Sequence, residues 1–153
     1  MDKELRELKV TAIENGTVID HIPAQNVLKV LHILNLENST NQLLIGDNLE
    51  SAKFGKKGII KVSNTFFDKD EIDKIALVAP SATLIVIKNY AVAEKRQVSI
   101  PKKVENIVKC FNPNCITNRE AIPTRFTVVD EQEIKLQCHY CEKITPKASI
   151  TFI

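Results

Sequence analysis

Four cysteines carry the most specific chemistry in this sequence of 153 residues. They stand as two pairs, Cys110 with Cys115 and Cys138 with Cys141, with 22 residues between the pairs. Thiolate pairs on tight turns supply two ligands each to a tetrahedral Zn²⁺ site. Residues 112–114 (NPN) suit such a turn, because Asn and Pro favour tight backbone geometry. The spacing therefore predicts one structural zinc ion on the four cysteines.

Other uses of the cysteines fit less well. Two disulfides disagree with a cytoplasmic location, where thiols stay reduced. A redox dithiol at Cys138 and Cys141 would leave Cys110 and Cys115 without a role, and no thioredoxin-like βαβ pattern surrounds it. Catalytic zinc is disfavoured because four thiolates leave no position for water. His139, between two ligands, could replace one of them, but nothing in the sequence requires it, and we expect it to be exposed.

The composition indicates a folded cytoplasmic chain of two domains. Hydrophobic residues make up 44% and charged residues 26%, with a formal net charge of +2. The N-terminus MDKELRELKV lacks the apolar core of a secretory signal, and no apolar run approaches the ~20 residues that span a membrane. All four cysteines and the slight basic excess fall in the last third. We therefore predict domains at residues 1–101 and 102–153, joined at the IPKK segment (100–103).

Periodicity in the first domain predicts the order β-α-β-β-α-β and allows one extra strand after it. Strands are expected at 8–19, 42–46, 58–63, 82–87 and 90–100, with a polar loop before the third and the 82–87 strand central and buried. One helix should begin with Pro23 in its first turn. The other should begin at Asp68, capped together with Glu71, and end at Pro80. This order is typical of a ferredoxin-like antiparallel sheet with both helices on one face, and the open face suggests self-association.

The second domain reads as a small all-β domain of the zinc-ribbon type. Short strands are expected near 104–109, 124–129, 134–137 and 147–153, with a hairpin turn at 130–133. About fifty residues of short strands bury little apolar surface, so the domain needs the metal for stability. The whole chain is therefore predicted to be α+β.

A few polar residues of the first domain could bind a ligand. Asp20-His21 lies where the first strand gives way to the first helix. The pair could be a turn with a capping Asp, or a carboxylate and an imidazole aimed at a small polar ligand. Lys61 and Lys95 could add cations for phosphates, although a single Lys usually faces solvent. No nucleophile–base or phosphate-loop motif accompanies them.

Several short segments resemble one protein family. The most specific is GTVIDHIPAQ (16–25), and KVSNTF (61–66), APSAT (79–83), NY (89–90) and CEK (141–143) accompany it. With the cysteine spacing, these segments resemble the regulatory chain of aspartate carbamoyltransferase, an enzyme of pyrimidine biosynthesis. The resemblance runs from about residue 8 to the C-terminus.

The resemblance implies a regulatory subunit without catalysis of its own. A ferredoxin-like domain would bind ATP or CTP, with contacts by motif position on Ala12, Ile13, Asp20, His21, Lys61, Tyr90 and Lys95. The zinc domain would dock on the catalytic chain through Asn112, Asn114 and Glu142. Glu7 stands where the enteric bacterial form has a Lys that helps bind a second nucleotide, so UTP stays open as an effector.

The resemblance also implies partners. Regulatory chains would pair through their N-terminal domains, and six would combine with six catalytic chains. Two other classes compete with this interpretation: an RNA-binding protein and a redox enzyme using Cys138 and Cys141. Against RNA binding, only 5% of residues are aromatic and the sheet lacks a stacking pair. We therefore expect neither a nucleic acid nor a membrane as partner.

Overall fold

The computed structural model describes residues 13–52 and 55–153. The chain divides into two compact units, Met1–Val98 and Ser99–Ile153. No helix within the described residues is long and apolar enough to cross a membrane. The predicted strand start at residue 8 and the predicted contact at Ala12 lie outside the described residues.

The described part of the first unit is one antiparallel sheet with two helices. The strands are β1 (Gly16–Pro23), β2 (Leu43–Ser51), β3 (Gly55–Ser63), β4 (Thr83–Lys88) and β5 (Ala91–Gln97). The helices are α1 (Val27–Ile33) and α2 (Lys69–Val78), with a 3₁₀ turn at Leu36–Asn38. The sheet order β2-β3-β1-β4-β5 is antiparallel throughout. The mixed α+β prediction is confirmed, with β5 added beside β4 at one edge of the ferredoxin-like sheet.

Helix α1 packs closely against one face of the sheet. A Cβ atom added at Gly58 of β3 would overlap Val27 of α1, so the close approach requires glycine there. The neighbouring Ile22 and Ile60 are fully buried. Because alternate strand residues point to opposite faces, Lys61 must lie on the other face.

The start of α2 is fixed by a reciprocal pair of hydrogen bonds. The Asp68 carboxylate accepts from the Glu71 backbone N–H at 2.9 Å, and the Glu71 carboxylate accepts from the Asp68 N–H at 3.2 Å. This is the predicted capping box, and the prediction is confirmed. The helix ends at Val78, two residues before Pro80.

Removing this cap should destabilise the first unit measurably. We expect Asp68→Ala to lower the free energy of unfolding by about 1 kcal/mol, because the Glu71 N–H loses its acceptor. Asp68→Ser should recover most of that loss, since its hydroxyl still accepts a hydrogen bond. Asp70→Ala is the control, with an expected loss of about 0.3–0.5 kcal/mol through the helix dipole alone. Urea denaturation of the three variants checks the order, and equal losses for Asp68→Ala and Asp70→Ala would contradict it.

Two boundaries of the first unit differ from prediction. Pro23 ends β1, and α1 begins only at Val27, so the prediction of Pro23 in the first helical turn is wrong. Proline is compatible with either position, because it lacks an N–H that a strand end or a helix start would leave unpaired. The predicted polar loop between residues 46 and 58 is mostly strand, because β2 and β3 extend into a long hairpin in which Glu50 pairs with Lys56.

Strand β4 is less buried than its apolar run predicts. It lies between β1 and β5, as expected for an inner strand. Only Leu84 and Ile87 are buried, however, and Ile85 is half-buried. Ile85 and Ile87 lie on the face opposite to the helices, where Ile87 is buried and Ile85 is not, and on the helix-covered face Val86 is also only half-buried. The prediction of a central position holds, and the prediction of full burial is wrong.

The second unit consists of short strands. They are β6 (Lys103–Glu105), β7 (Val108–Lys109), β8 (Arg125–Asp130), β9 (Lys135–Cys138), β10 (Ile144–Pro146) and β11 (Thr151–Phe152). Four form a sheet of order β10-β9-β8-β6, and β11 pairs with β7. The single helical turn α3 (Ile116–Arg119) and a 3₁₀ turn (Lys147–Ser149) complete it. The core is small and centres on Val104, Phe126 and Leu136.

Candidate metal centre and effector site

The four cysteine thiols converge on one point in the second unit. Cys110 follows β7 and Cys115 precedes α3, whereas Cys138 ends β9 and Cys141 lies in the turn before β10. All four Sγ atoms lie within 4.8 Å of one another. Two Sγ pairs, Cys110 with Cys141 and Cys115 with Cys138, are each 3.7 Å apart.

These distances fit a four-coordinate metal site. A tetrahedron with Zn–S bonds of 2.3 Å has edges of about 3.8 Å. The observed 3.7 Å separations match that edge. Three of the four cysteines are also buried, which places the donors away from solvent. The prediction that these cysteines form one metal-binding site is confirmed.

The thiols of the cluster are not equivalent. Burial raises the pKa of Cys110 and that of Cys138. Burial acts in the same sense on Cys141, but hydrogen bonds from the Lys143 backbone and the Asn112 side chain outweigh it and lower the pKa of Cys141 to about 7. Cys141 is therefore the thiol that most readily supplies the thiolate form in which cysteine binds metals.

The three predicted docking residues lie in the turns that carry the cysteines. Asn114 and Glu142 are exposed, and Asn112 is half-buried. The Asn112 Oδ1 accepts from the Asn114 N–H at 3.1 Å. Glu142 adopts a left-handed backbone conformation (φ 63°), and its N–H donates to the Cys138 carbonyl at 3.0 Å. The turns that hold the metal ligands thus also fix these three residues, whose docking role stays a prediction.

A β-bulge brings Asp20 and His21 to the same side of the sheet. The pairing of β1 with β3 shifts between Ile19 and Ile22, and His21 takes a left-handed conformation (φ 55°). Asp20 pairs with Thr83 of the neighbouring strand β4. The His21 ring Nδ1 lies 3.0 Å from the Thr83 Oγ1. Two successive strand residues normally face opposite ways, so the bulge re-aims the imidazole.

Lysines flank these groups on the open face of the sheet. Residues paired directly across antiparallel strands share a face. The register pairs Lys61 with Val18, Val18 with Ile85, and Ile85 with Lys95, so Lys61 and Lys95 face the same side. Three strand spacings separate their backbones by roughly 14 Å. The Asp20 carboxylate is held on this face by Lys57, with a 2.8 Å ion pair.

Lys61 is an unusual residue for an open sheet face. Its side chain is 1% exposed, and its Nζ has no hydrogen-bond partner among the described residues. Desolvation lowers the pKa of Lys61 from 10.5 to about 8, with Asp20 opposing the shift and Lys57 adding to it. A buried ammonium without an acceptor costs free energy. An anionic or strongly accepting ligand would remove that cost.

Apolar residues form the floor of the same face. Val18, Ile59 and Ile87 are buried together, with Ile13 and Ile85 packed against them. At one end Asn89 and Tyr90 form the two-residue turn between β4 and β5, both with positive φ, as in a type I′ turn. The Tyr90 N–H donates to the Glu14 carbonyl at 2.9 Å. Ile13 and Tyr90 both line a cavity of about 390 Å³.

Some residues of these sites were not indicated by the sequence. The Ser81 hydroxyl donates to the His21 carbonyl at 3.0 Å. In the second unit the Thr117 hydroxyl donates to the Cys115 Sγ at 3.2 Å, and Asn118 donates into the first cysteine loop. Short segments such as Ser-Ala-Thr (81–83) and Thr-Asn (117–118) are too common for the sequence alone to indicate a role. These residues belong to the sites only because the fold brings them close to His21 and to the cysteine loop.

Comparison with known proteins identifies both units. Residues 8–99 match the family model for the aspartate carbamoyltransferase regulatory chain, allosteric domain. Residues 102–151 match the model for the metal binding domain of the same chain.

Three relatives with the name aspartate carbamoyltransferase regulatory chain match over nearly their whole lengths. That of Bacteroides fragilis is 46% identical over 153 residues, covering 100% of both chains. That of Thermococcus sibiricus is 50% identical over 139 residues, covering 91% of this chain and 92% of the relative. That of Pyrococcus horikoshii is 49% identical over 146 residues, with 94% and 96% covered.

The fold and the cysteine cluster define a two-domain protein in which a mixed α+β domain precedes a small metal-binding domain. The chain belongs to the family of aspartate carbamoyltransferase regulatory chains. Its relatives are named as the regulatory and not the catalytic chain, so the predicted non-catalytic role is confirmed.

Proposed function

We propose that the first unit binds ATP and CTP at one site on the open face of its sheet. The observation that carries the proposal is the buried Lys61 ammonium, which lacks an acceptor among the described residues and lies beside the Asp20 carboxylate. A nucleotide supplies what this face needs. Its ribose hydroxyls can donate to Asp20, and its oxygens can accept from Lys61.

The rest of the face accommodates the other parts of a nucleotide. Lys95 on the same face and His21 beside Thr83 supply donors for a triphosphate. The apolar floor near Ile13, with backbone groups of Ile13 and Tyr90 at its end, would seat the base. Ala12, which lies outside the described residues, belongs to the same proposed set.

The second unit is proposed to hold one zinc ion and to dock on the catalytic chain. Four thiolates close the coordination shell, so the zinc would supply structural rigidity and no reaction step. Asn112, Asn114 and Glu142 are the proposed docking residues, because the metal-binding turns present them. The proposal includes pairing of regulatory chains through their first units and a cytoplasmic location, where the thiols stay reduced.

Regulation requires that each nucleotide bind the low-activity and high-activity forms of the assembly with different affinity. ATP and CTP compete for one site but differ in the size of the base and in its hydrogen-bonding groups. That difference would be transmitted through the metal-binding domain to the catalytic chains. UTP stays open as an additional effector.

The test is aspartate saturation of the reconstituted complex with and without each nucleotide. We expect ATP and CTP each to shift the half-saturating aspartate concentration. A complex assembled with the Lys61→Met chain is compared with the native complex, and the same shift should need a nucleotide concentration roughly 10–100-fold higher. Identical curves for the native complex in all three conditions would leave the chain a structural role only.

A further inference from the structure

The loop between Cys110 and Cys115 is organised around the backbone of Asn112. The Asn112 carbonyl accepts from the Cys115 N–H at 3.0 Å, which closes the loop into a turn. The Asn112 N–H hydrogen-bonds the Cys110 thiol, and the Asn112 side chain hydrogen-bonds the Cys141 thiol. The position of this one residue therefore affects two members of the metal cluster.

Asn118 holds that loop from outside. Its single Nδ2 donates to the Asn112 carbonyl at 2.7 Å and to the Cys110 carbonyl at 2.8 Å. One amide NH₂ group has two hydrogens, so this contact uses both. The two carbonyls belong to a metal ligand and to the central residue of the turn, so Asn118 clamps the loop at two points.

The short helix α3 positions Asn118. The Asn118 N–H donates to the Cys115 carbonyl at 2.9 Å, which anchors the backbone of Asn118 to the second ligand of the pair. The side chain then reaches back over the loop to Cys110. Asn118 thus links both cysteines of the C-x4-C pair through hydrogen bonds alone.

The clamp borders the surface proposed for docking. Asn118 lines a cavity of about 480 Å³ together with Lys109, Phe111 and Pro113. The Phe111 side chain is 47% exposed there. A partner chain bound over the Cys110–Cys115 loop would therefore meet a surface whose shape depends on Asn118.

We propose that Asn118 is a positioning residue that fixes the Cys110–Cys115 loop, and that it thereby controls both retention of the metal and presentation of Asn112 and Asn114 to the catalytic chain. The docking part rests on the proposed function, whereas the metal part requires only the confirmed metal-binding site. Groups that orient metal ligands through hydrogen bonds commonly change metal affinity 10–100-fold when they are removed.

The test compares two variants of the full chain with a control. Asn118→Asp keeps the size of the side chain but replaces the donor by a carboxylate, which repels both carbonyls. Asn118→Ser retains one donor. Arg119→Ala, at the exposed end of the same helical turn, is the control. The rate of zinc transfer to a chromophoric chelator and the absorption spectrum of the Co²⁺-loaded chain are measured for each.

We expect zinc release to be about 10–100-fold faster for Asn118→Asp, to be faster by a smaller factor for Asn118→Ser, and to be unchanged for Arg119→Ala. The Co²⁺ spectra of the two Asn118 variants should change in band position or intensity at unchanged stoichiometry, which a loss of global stability alone would not produce. Should Asn118→Asp fail to fold, Asn118→Ser still decides the outcome. Native release rates and native spectra in Asn118→Ser would overturn the proposal.

Docking is measured separately, as binding of each zinc-saturated chain to isolated catalytic subunits. Weaker binding by the Asn118 variants than by Arg119→Ala is expected. Equal binding would overturn the docking part. If the native chain itself does not bind catalytic subunits, the proposed function fails, and the zinc-release comparison still judges the role of Asn118.

Discussion

Replacing Cys138 by serine is expected to release the metal, unfold the second unit and abolish docking on the catalytic chain. The unit has about fifty residues of short strands, and an apolar core of that size rarely supplies more than about 3–5 kcal/mol. Structural zinc sites contribute on the order of 10–16 kcal/mol in small peptides. Losing one of four ligands therefore removes most of what keeps the unit folded.

The same variant should leave nucleotide binding by the first unit largely intact. The first unit has its own sheet, helices and core, in which Ile19, Ile60 and Ile75 are fully buried. Zinc content by atomic absorption, sedimentation of the mixture with catalytic subunits, and nucleotide titration measure the three effects. His139→Ala is the control, because His139 is an exposed neighbour of Cys138 outside the cluster. Loss of nucleotide binding together with docking would contradict the proposed division of labour.

Replacing Lys61 by methionine is expected to weaken nucleotide binding while making the free chain more stable. A hydrogen bond to a charged group contributes about 1.5–3 kcal/mol, so its loss should weaken binding roughly 10–100-fold. In the free chain the buried Nζ lacks an acceptor among the described residues, and methionine fills similar space without a charge. The free energy of unfolding should therefore rise by on the order of 1 kcal/mol.

Isothermal titration with CTP and urea denaturation measure the two opposite changes. The control is Lys56→Met, which makes the same substitution on the same strand at an exposed position. It should leave the affinity close to native and lower the stability by about 0.2–1 kcal/mol, because Lys56 pairs with Glu50, so its effect on stability has the opposite sign. A Lys61→Met chain with native affinity would place the nucleotide elsewhere, and a less stable one would show that Lys61 has a partner in the folded chain.

The pH dependence of the native chain follows from the same residue. The pKa of Lys61 is about 8 in the folded chain and 10.5 ordinarily. Between these values the unfolded chain holds the proton that the folded chain has lost, so stability contributed by Lys61 rises with pH across this window. Nucleotide affinity should fall over the same range, because hydrogen bonds from the charged ammonium to the nucleotide oxygens are stronger than those from the neutral amine. Both trends should disappear in Lys61→Met, and an unchanged CTP affinity from pH 7 to 9.5 in the native chain would contradict the assignment.

Much of this molecule could be predicted from local sequence. The four ligands were identifiable because zinc requires soft donors in pairs on tight turns, and that requirement is visible in the spacing of Cys110, Cys115, Cys138 and Cys141. The capping box at Asp68 and Glu71 was identifiable for a similar reason, since its hydrogen bonds close within four residues. Alternating apolar residues in the strands, together with the start and stop signals of the helices, were enough to predict the mixed α+β class.

Other features were decided by the tertiary structure. Pro23 could end a strand or begin a helix, and only the pairing of β1 with Lys57 on β3 decides between them. The bulge that turns His21 towards Thr83 depends on register with two neighbouring strands. The burial of Lys61 depends on strands that are far apart in the chain. The two hydrogen bonds of the Asn118 side chain depend on the direction in which that side chain points. Local sequence determined which elements form and which metal-binding site they carry, whereas contacts between elements decided where the polar groups point, because those contacts have no signature in residue spacing.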